Sequence, residues 1–206
     1  MPSNPASLYR KVFPTAHRLL VERIINRRLR EAHGDVLVVG AGHDPYGYLL
    51  SQAKSVCRTD ISDEYGNIDL VADVHDLPFE DGSFDAVVAI EVIEHLRSPQ
   101  EAVAEIFRVL RPGGRIFVSI PFMYRVHGDP YDFTRFTAGG LKELFDAFDN
   151  ISVQEVSGRL HVISDIITTA ARPLAALRIL NHLLALPGIC TPSKDCPSGY
   201  WLEAAK

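Results

Sequence analysis

Histidine, acidic, basic and aromatic side chains are concentrated in the segment that follows residue 122. His127 lies close in sequence to Asp132 and Arg135, and Tyr124 precedes all three. Imidazole titrates near neutral pH, so a histidine oriented by a carboxylate is suited to taking a proton from a hydroxyl group. We therefore predict His127 as a general base, Asp132 as its orienting residue, and Arg135 or Tyr124 as a contact to the substrate. The alternative is a loop fixed to the sheet by an Asp132–Arg135 ion pair.

A second group of titratable residues follows the apolar run FDAVVAI. Glu91, Glu94 and His95 form the pattern E-x-x-E-H. Two carboxylates and an imidazole, joined by the distant His127, could bind a divalent metal ion. We predict no metal here, and we expect His95 to pack near the site at the start of a helix.

A glycine loop follows the first apolar run, VLVV. Gly40 and Gly42 lack a Cβ, so a ligand can approach the backbone closely. Asp60 ends the next run and can accept hydrogen bonds from ribose hydroxyls. Asp73, next to the apolar Val74, suits an adenine ring, whose amino group donates and whose faces need apolar cover. These features predict a nucleotide-containing cofactor.

Apolar runs separated by helical periodicity predict the elements that would position these residues. The runs are nearly continuous, which is typical of parallel strands covered on both faces. Asp44 is placed to cap the helix that follows the glycine loop, with Pro45 at its first position. The predicted strands are 35–40, 55–60, 68–72, 84–90, 114–120, 151–158 and 199–205, and the predicted helices of this core are 45–53, 99–109 and 137–147.

The two flanking regions have different patterns. Residues 1–14 read as an extended arm, followed by an amphipathic helix with arginines on one face. The stretch 160–187 is rich in Leu and Ile with Pro173 in its middle. It could be a lid over the acceptor, a homodimer surface, or an amphipathic element in peripheral contact with a membrane. No segment is long and uncharged enough to span a bilayer.

Composition limits the general class. The chain has 206 residues and a formal charge of −5, which gives no reason to expect nucleic acid as a partner. Three cysteines without a recognisable secretory leader indicate reduced thiols and a cytoplasmic protein. We expect one domain over 1–206, made of an arm and basic helix (1–33), a cofactor-binding core (34–157), a helical insertion or lid (158–198) and a last strand (199–206).

The order of blocks GAGHDPYG, RTDIS, VADVHDLPFEDGSFDAVVAIEVIEHL and RVLRPGGRIFVSIPF resembles the class I S-adenosylmethionine-dependent methyltransferases of the small-molecule type (methyltransferase domain 11-like). The resemblance implies an α/β, Rossmann-like fold with helices on both faces of a mostly parallel seven-stranded sheet. The implied strand order is 3-2-1-4-5-7-6, with an antiparallel last strand preceded by a helical insertion. The segment PFMYRVHGDPYDFTRFTAGGL is similar, more narrowly, to a bacterial subgroup associated with glycan and secondary-metabolite modification.

The resemblance also implies roles for individual residues, with S-adenosyl-L-methionine as the cofactor. The glycine loop would contact the methionine portion, Asp60 the ribose, Ile61 one face of the adenine, and Asp73 with Val74 its edge. Glu91 would close the site beyond the fourth strand as a cofactor-binding and catalytic residue. The implied cofactor-binding residues are Gly40, Ala41, Gly42, His43, Tyr46, Asp60, Ile61, Asp73, Val74 and Glu91.

The implied activity is methyl transfer to a small-molecule or glycan- or lipid-linked acceptor, with O-methylation and His127 as the base. Two alternatives remain. The E-x-x-E-H block is similar to that of small-RNA 3′-terminal 2′-O-methyltransferases, which predicts metal-assisted RNA 2′-O-methylation. Val38 and Asp44 stand where the family usually has an acid and a glycine, which leaves a non-catalytic scaffold that binds S-adenosylmethionine.

Overall fold

The computed structural model describes residues 13–127, 131–187 and 192–206. Most of the predicted N-terminal arm and the Gly128–Pro130 part of the predicted catalytic loop lie outside the described residues. The chain divides into two compact units. The helical unit comprises the described parts of Met1–Arg23, Pro121–Val126 and Glu155–Tyr200. The sheet unit comprises Ile24–Ile120, the described part of His127–Gln154, and Trp201–Lys206.

A seven-stranded sheet has the order β3-β2-β1-β4-β5-β7-β6, which confirms the predicted order. Its first five strands pair in parallel. β7 runs antiparallel to β5, because the amide of Gly113 donates to the carbonyl of Lys206 while that of Phe122 donates to Ser198 at the other end. The strands are β1 (Gly34–Val39), β2 (Ala53–Asp60), β3 (Leu70–Val71), β4 (Phe84–Ile90), β5 (Leu110–Pro121), β6 (Asp149–Val156) and β7 (Gly199–Ala205).

The helices of the described residues follow the predicted periodicities except after β1. The α-helices are α1 (Ala16–Arg28), α2 (Pro99–Val109), α3 (Ala138–Leu144), α4 (Arg159–Ala170) and α5 (Asn181–Leu184). The 3₁₀-helices are Leu29–Glu31, Gly47–Leu50, Ile93–His95 and Arg172–Leu180.

The central strands bring the ends of the predicted motifs together. Val36, Val38 and their neighbours in β1 pair with β2 on one side and β4 on the other, and most of these side chains are buried. Val39 of β1 lies opposite Ala89 of β4 in parallel register. The residues that follow these strands, Gly40 and Glu91, therefore emerge at the same edge of the sheet, where ligands bind in open α/β folds.

Two local predictions were wrong. The segment after β1 has only a 3₁₀-turn over Gly47–Leu50, because β2 already begins at Ala53 and leaves no room for the predicted 45–53 helix. Asp44 therefore caps no helix. β5 begins at Leu110 rather than 114, because the register shift between Phe84 and Ala86 accommodates the intervening residues within the strand.

In the helical unit, α4 faces its polar side chains inward. His161, Asp165 and Thr168 are buried, whereas Ile163 and Ile167 are about half exposed. Because the first four amides of a helix lack intrahelical partners, the Asp165 carboxylate can bind the start of α1 by accepting hydrogen bonds from two of its amides, at 2.7 and 2.9 Å. The His161 ring bonds the Gly158 amide and the Leu184 carbonyl. Across the described ranges, we find no helix with the length and apolarity needed to cross a membrane.

Candidate active site

The glycine loop after β1 is bound to the end of β2. The Ala41 amide donates to the Thr59 carbonyl at 3.0 Å, and the Gly42 amide donates to Oδ2 of Asp60 at 2.9 Å. A carboxylate can accept about four hydrogen bonds, so Asp60 can hold the loop and still accept from ribose hydroxyls. This arrangement joins two of the predicted cofactor-binding elements.

Gly40 and Gly42 both have positive φ, +59° and +50°. A Cβ at Gly40 would lie 2.5 Å from Cγ2 of Val92, whereas a Cβ at Gly42 would meet nothing within 4 Å. Gly40 is thus required by packing, and Gly42 leaves its backbone open to a ligand. The contact of this loop with the methionine portion of S-adenosylmethionine stays a prediction.

Asp44 keeps the backbone conformation of the glycine that it replaces, with φ +43°. Its carboxylate accepts a hydrogen bond from Nε of Arg58 in β2 at 2.5 Å, and this pairing raises the pKa of Arg58. Val38 is buried and lies opposite Arg58 in the sheet register. The charge of Asp44 is therefore balanced within the protein, so it does not act as an isolated anion in the loop.

The residues predicted to surround an adenine ring lie at the ends of β2 and β3. Ile61 is 64% exposed although it is apolar, so it can cover a ligand face. Oδ1 of Asp73 accepts hydrogen bonds from the amide and from Nδ1 of His75, and these bonds lower the pKa of Asp73. His75 had no predicted role. It orients Asp73, and Val74 between them is half-buried.

Two aromatic rings flank the glycine loop. The His43 ring lies 3.8 Å from that of Tyr65, measured between centroids. Tyr46 precedes the 3₁₀-turn and its carbonyl accepts from the Leu49 amide at 2.8 Å. His43 and Tyr46 therefore lie on the loop as predicted, and Tyr65 is a further aromatic side chain that the sequence patterns did not single out.

Glu91 occupies a conformation that is uncommon for a residue other than glycine, with φ +55°. Its amide donates to the Ser119 carbonyl, and its Oε1 accepts from the Ser119 hydroxyl at 2.8 Å. Left-handed backbone at a non-glycine residue costs about 1–3 kcal/mol and is concentrated at functional sites. Here it turns a carboxylate to the carboxyl edge of β4 and β5.

His127, Asp132 and Arg135 form a continuous chain of contacts. Nη2 of Arg135 donates to Asp132 at 2.5 Å, and the His127 amide donates to Asp132 at 2.9 Å. Burial would raise the pKa of Asp132, but these bonds from Arg135 and His127 outweigh it and lower the pKa to about 2. Nδ1 of His127 lies 3.4 Å from Oδ2 of Asp132. Burial lowers the pKa of His127, and the Glu91 and Asp132 charges oppose this only partly.

Glu94 is the most deeply buried acid of this group, with an exposure of 0%. Neither of its carboxylate oxygens has a hydrogen-bond partner among the described residues. Nε2 of His95 lies 3.5 Å from its Oε1, and Nε2 of His127 lies 3.8 Å from the same oxygen. Burial raises the pKa of Glu94 well above its usual range, and the charge of Glu91 adds to that effect.

His95 is oriented by the loop that carries Asp132. Its Nδ1 lies 2.5 Å from the Tyr131 carbonyl, and its ring packs edge-on against that of His127 at 5.3 Å. His95, Glu94 and His127 therefore have potential ligand atoms within 4.8 Å of one another. The prediction that His95 starts a helix was wrong, because His95 ends the 3₁₀-helix Ile93–His95 and α2 begins only at Pro99.

Arg97 contacts two aromatic residues of the loop that carries Asp132. Its guanidinium lies 5.3 Å from the ring centroid of Tyr131 and 5.0 Å from that of Phe133, within cation–π range. The amides of Phe133 and Thr134 donate to the Glu94 carbonyl. Sequence patterns did not reveal these contacts, because backbone carbonyls and aromatic faces leave no distinctive residue signature.

The sheet unit thus contains all the predicted site residues except Tyr124. Tyr124 belongs to the helical unit, where its ring packs 5.2 Å from that of His17. The predicted base, its orienting carboxylate and the arginine are brought together, and so is the E-x-x-E-H block. Asp132 contacts Arg135 and His127 at once, so these contacts alone do not choose between its two predicted roles.

Comparison with known proteins supports the same assignment. Residues 37–118 match a family model described as a methyltransferase domain. An O-methyltransferase from Aspergillus nomiae is 30% identical over 157 residues, which cover 68% of this chain and 68% of the relative. A ubiquinone/menaquinone biosynthesis C-methyltransferase from Bartonella henselae is 37% identical over 123 residues, covering 58% of this chain and 44% of the relative.

Solved structures agree in fold. A Thermotoga maritima protein described as an S-adenosylmethionine-dependent methyltransferase, possibly acting on histamine nitrogen, aligns with a TM-score of 0.63. The alignment covers 98% of this chain and 96% of that one at 18% identity, which supports the fold alone. The chain spans less than half the length of several curated relatives that it matches.

Three findings lead to one conclusion: the glycine loop bonded to Asp60 at the end of β2, the 3-2-1-4-5-7-6 sheet, and the similarity over two thirds of a relative. The chain belongs to the class I S-adenosylmethionine-dependent methyltransferases.

Proposed function

We propose that this protein transfers a methyl group from S-adenosylmethionine to a hydroxyl group of a small-molecule or glycan- or lipid-linked acceptor. The observation that carries the proposal is the position of His127 between the Asp132 and Glu94 carboxylates, in the same unit as the glycine loop. The name of the Aspergillus relative supports oxygen as the accepting atom. That of the Bartonella relative, a C-methyltransferase, is the main evidence for carbon.

The donor site is proposed from the loop residues and their contacts. Gly40, Ala41 and Gly42 line the methionine portion, and Asp60 accepts from the ribose hydroxyls while holding the Gly42 amide. His43 and Tyr46 extend the loop, Ile61 covers the adenine, and Asp73 with Val74 contacts its edge. Glu91, held by Ser119, closes the site beyond β4.

Methyl transfer is an in-line displacement that needs alignment and exclusion of water more than acid–base chemistry. The acceptor oxygen forms a bond to the methyl carbon while the carbon–sulfur bond breaks, and the sulfonium becomes a neutral thioether. The hydroxyl proton passes to Nε2 of His127. The Asp132 carboxylate lies 3.4 Å from Nδ1 of the same ring, and its negative charge stabilises the imidazolium that forms.

The pKa directions suit this assignment. His127 must be neutral to accept a proton, and its lowered pKa keeps it neutral at pH 7. Asp132, with a pKa of about 2, is ionised over the whole working range. The rate should therefore rise with pH as His127 loses its proton and level off above an ionisation below the ordinary imidazole value of about 6.5.

The first test is His127→Ala. We expect turnover with a hydroxyl acceptor to fall by roughly 10²–10⁴ while the dissociation constant for S-adenosylmethionine, measured by calorimetry, changes little. His33→Ala is the matched control, because His33 is exposed and its ring bonds the Glu31 carbonyl, away from the site residues in sequence. Parental turnover in the His127 variant would contradict the base assignment. Heat with nicotinamide dinucleotides but none with S-adenosylmethionine would contradict the donor.

A second candidate uses the same residues differently. The unpartnered carboxylate of Glu94 and the two Nε2 atoms near it are arranged as a ligand set for a divalent ion. Metal-binding histidines usually have an acceptor close to the ring nitrogen that does not bind the metal. Here the Tyr131 carbonyl lies close to Nδ1 of His95, and Asp132 lies close to Nδ1 of His127. A bound ion would act as a Lewis acid toward the acceptor oxygen. The RNA acceptor of this alternative has no support from the charge of −5.

Metal content and chelation decide between the two candidates. If His127 is the base, chelator leaves turnover unchanged, and His95→Ala retains most activity. If the three residues bind metal, Mn²⁺ should bind to the parent protein in calorimetry. Glu94→Gln, His95→Ala and His127→Ala should each weaken that binding by about 10-fold or more. His33→Ala should bind Mn²⁺ like the parent in either case.

A further inference from the structure

The helix α4 buries polar side chains and exposes large apolar ones, which reverses the usual pattern of an amphipathic helix on a protein surface. A surface helix normally buries its apolar stripe and exposes its polar one. Here the buried face carries Val162 and three polar residues, His161, Asp165 and Thr168, and all three polar side chains are hydrogen-bonded within the helical unit. The hydrogen bonds from the start of α1 to Asp165 fix this orientation of the helix. The isoleucines of the opposite face are therefore held exposed.

Exposed aliphatic side chains continue on the next elements of the same unit. Every third residue from Leu177 to Leu186 is a leucine, and all four are about half exposed. Arg172–Leu180 and α5 pack with α4. We name these exposed residues the aliphatic surface: Leu160, Ile163, Ile166, Ile167, Leu177, Ile179, Leu180, Leu183 and Leu186.

The charge around the aliphatic surface is opposite in sign to that of the chain. Residues 157–195 contain four basic and two acidic residues, while the whole chain carries −5. One of these acids, Asp165, is buried, and the other, Asp195, pairs with Arg159. Lys194 is exposed, and the pairing of Arg159 with Asp195 leaves Arg172, Arg178 and Lys194 as the excess positive charge of the segment. The segment therefore faces its surroundings as an aliphatic face with positive charges beside it.

The composition favours a lipid surface over a second copy of the chain. Protein interfaces are enriched in aromatic residues and methionine, and the aliphatic surface consists of leucine and isoleucine only. A two-fold dimer would place this segment against its own copy, so two segments of the same net positive charge would approach each other. An anionic bilayer instead offers apolar chains to the aliphatic residues and negative headgroups to the basic ones.

We infer that the aliphatic surface binds the interfacial region of an anionic lipid bilayer. The binding is peripheral, because no helix among the described residues could span the membrane. It is independent of the donor site, which lies in the sheet unit. Its consequence is that a lipid-linked acceptor could be met at the membrane surface, where its polar group is accessible.

Flotation with lipid vesicles tests the inference on the full chain without donor or acceptor. We expect the protein to bind mixed phosphatidylcholine–phosphatidylglycerol vesicles at least about 10-fold more tightly than vesicles of phosphatidylcholine alone. Raising the salt from about 0.05 to about 0.5 M should weaken this binding several-fold. Equal binding to both vesicles, or to neither, would overturn the inference.

Two matched variants separate the aliphatic surface from a general charge effect. Ile163→Asp with Leu180→Asp adds two negative charges to the aliphatic surface and should reduce vesicle binding by about 10-fold or more. Ser152→Asp with Gln154→Asp adds the same charge at exposed positions of β6 and should bind nearly like the parent. Equal loss in both variants would overturn the role of the aliphatic surface.

Sedimentation in lipid-free buffer tests whether a second copy of the chain binds the aliphatic surface instead. A monomeric parent protein agrees with the inference. A dimer that dissociates in the Ile163→Asp, Leu180→Asp variant would assign the aliphatic surface to a second copy and overturn it. Calorimetry with S-adenosylmethionine on the same variant should give the parental affinity, so that a failure of membrane binding remains distinct from a failure of the proposed function.

Discussion

The two loop glycines, Gly40 and Gly42, differ in what a side chain would meet. Both have positive φ, but only Gly40 faces a neighbouring side chain, Val92, at 2.5 Å. One glycine is therefore retained for packing, and the other suits the approach of a ligand to the backbone. Sequence spacing alone assigns them the same role.

Substituting each glycine separates these roles. Gly40→Ala should lower the free energy of unfolding by about 2–4 kcal/mol, because backbone strain and the contact with Val92 add together. Gly42→Ala should cost only about 1 kcal/mol of stability but weaken S-adenosylmethionine binding by about 10-fold or more. Urea unfolding and calorimetry measure the two effects. Equal stability losses, with equal donor affinities, would contradict the distinction.

The candidate site was predictable where its residues are chemically distinctive. His127, Asp132 and Arg135 stand within nine residues, so local sequence suffices to group them. The partnerless oxygens of Glu94 were not predictable, because burial of a carboxylate without hydrogen bonds depends on three-dimensional packing. The pairing of Asp44 with Arg58 was missed for a similar reason, since it joins a loop to the adjacent strand.

At the scale of elements, the prediction was accurate where local signals coincide with burial. α2 begins at Pro99 and ends at Val109 as predicted, because proline suits the first turn and the apolar residues recur on one face. The segment after β1 carried similar signals, yet the early start of β2 restricted it to a 3₁₀-turn. The length of the connection between β1 and β2 therefore outweighed the local helix signals of this segment.

The start of α1 depends on α4, and this dependence is testable. Asp165→Ala should lower the free energy of unfolding by about 1–3 kcal/mol, because it leaves the amides of Ala16 and His17 without their acceptor in a buried position. Ile167→Ala, on the exposed face of the same helix, is the control and should change stability by less than about 0.5 kcal/mol. Urea unfolding compares them. Similar losses in both variants would show that the capping contact contributes little.

At the scale of the whole molecule, the strand order came from family resemblance, while hydrophobic periodicity gave only the strands. The same periodicity marked the stretch 160–187 as amphipathic but could not tell which face is buried. Burial of Asp165 and His161 depends on partners more than twenty residues away. A pattern within one helix contains no information about them.

Glu203 in β7 connects distant parts of the sheet unit. Its carboxylate accepts from Arg28, from Arg115 at 2.7 Å and from Nε1 of Trp201 at 2.6 Å. Burial would raise the pKa of Glu203, but the bonds from Arg28 and Trp201 outweigh it and lower the pKa. The stabilisation is therefore present above the unfolded-state pKa of about 4.3 and is lost as the pH falls through the lower folded-state value.

Replacing this carboxylate should weaken the whole sheet unit. Glu203→Gln should cost about 1–3 kcal/mol near pH 7, because two arginines lose a charged partner. The difference from the parent should shrink as the pH falls below about 4.3, because the unfolded-state carboxylate then takes up protons while the folded state holds it ionised. Thermal unfolding at a series of pH values measures this. A difference that stays constant down to pH 3 would mean that the charge of Glu203 is not the cause.

The position of Trp201 gives this chain an internal fluorescence signal for the insertion of β7 into the sheet. It is the single tryptophan of the sequence, and it lies fully packed in β7, which enters the sheet between β5 and β6. On the ribosome, β5 and β6 are synthesised before β7 and keep open edges until β7 is added, and open edges favour aggregation. The fluorescence of Trp201 should change when that gap closes.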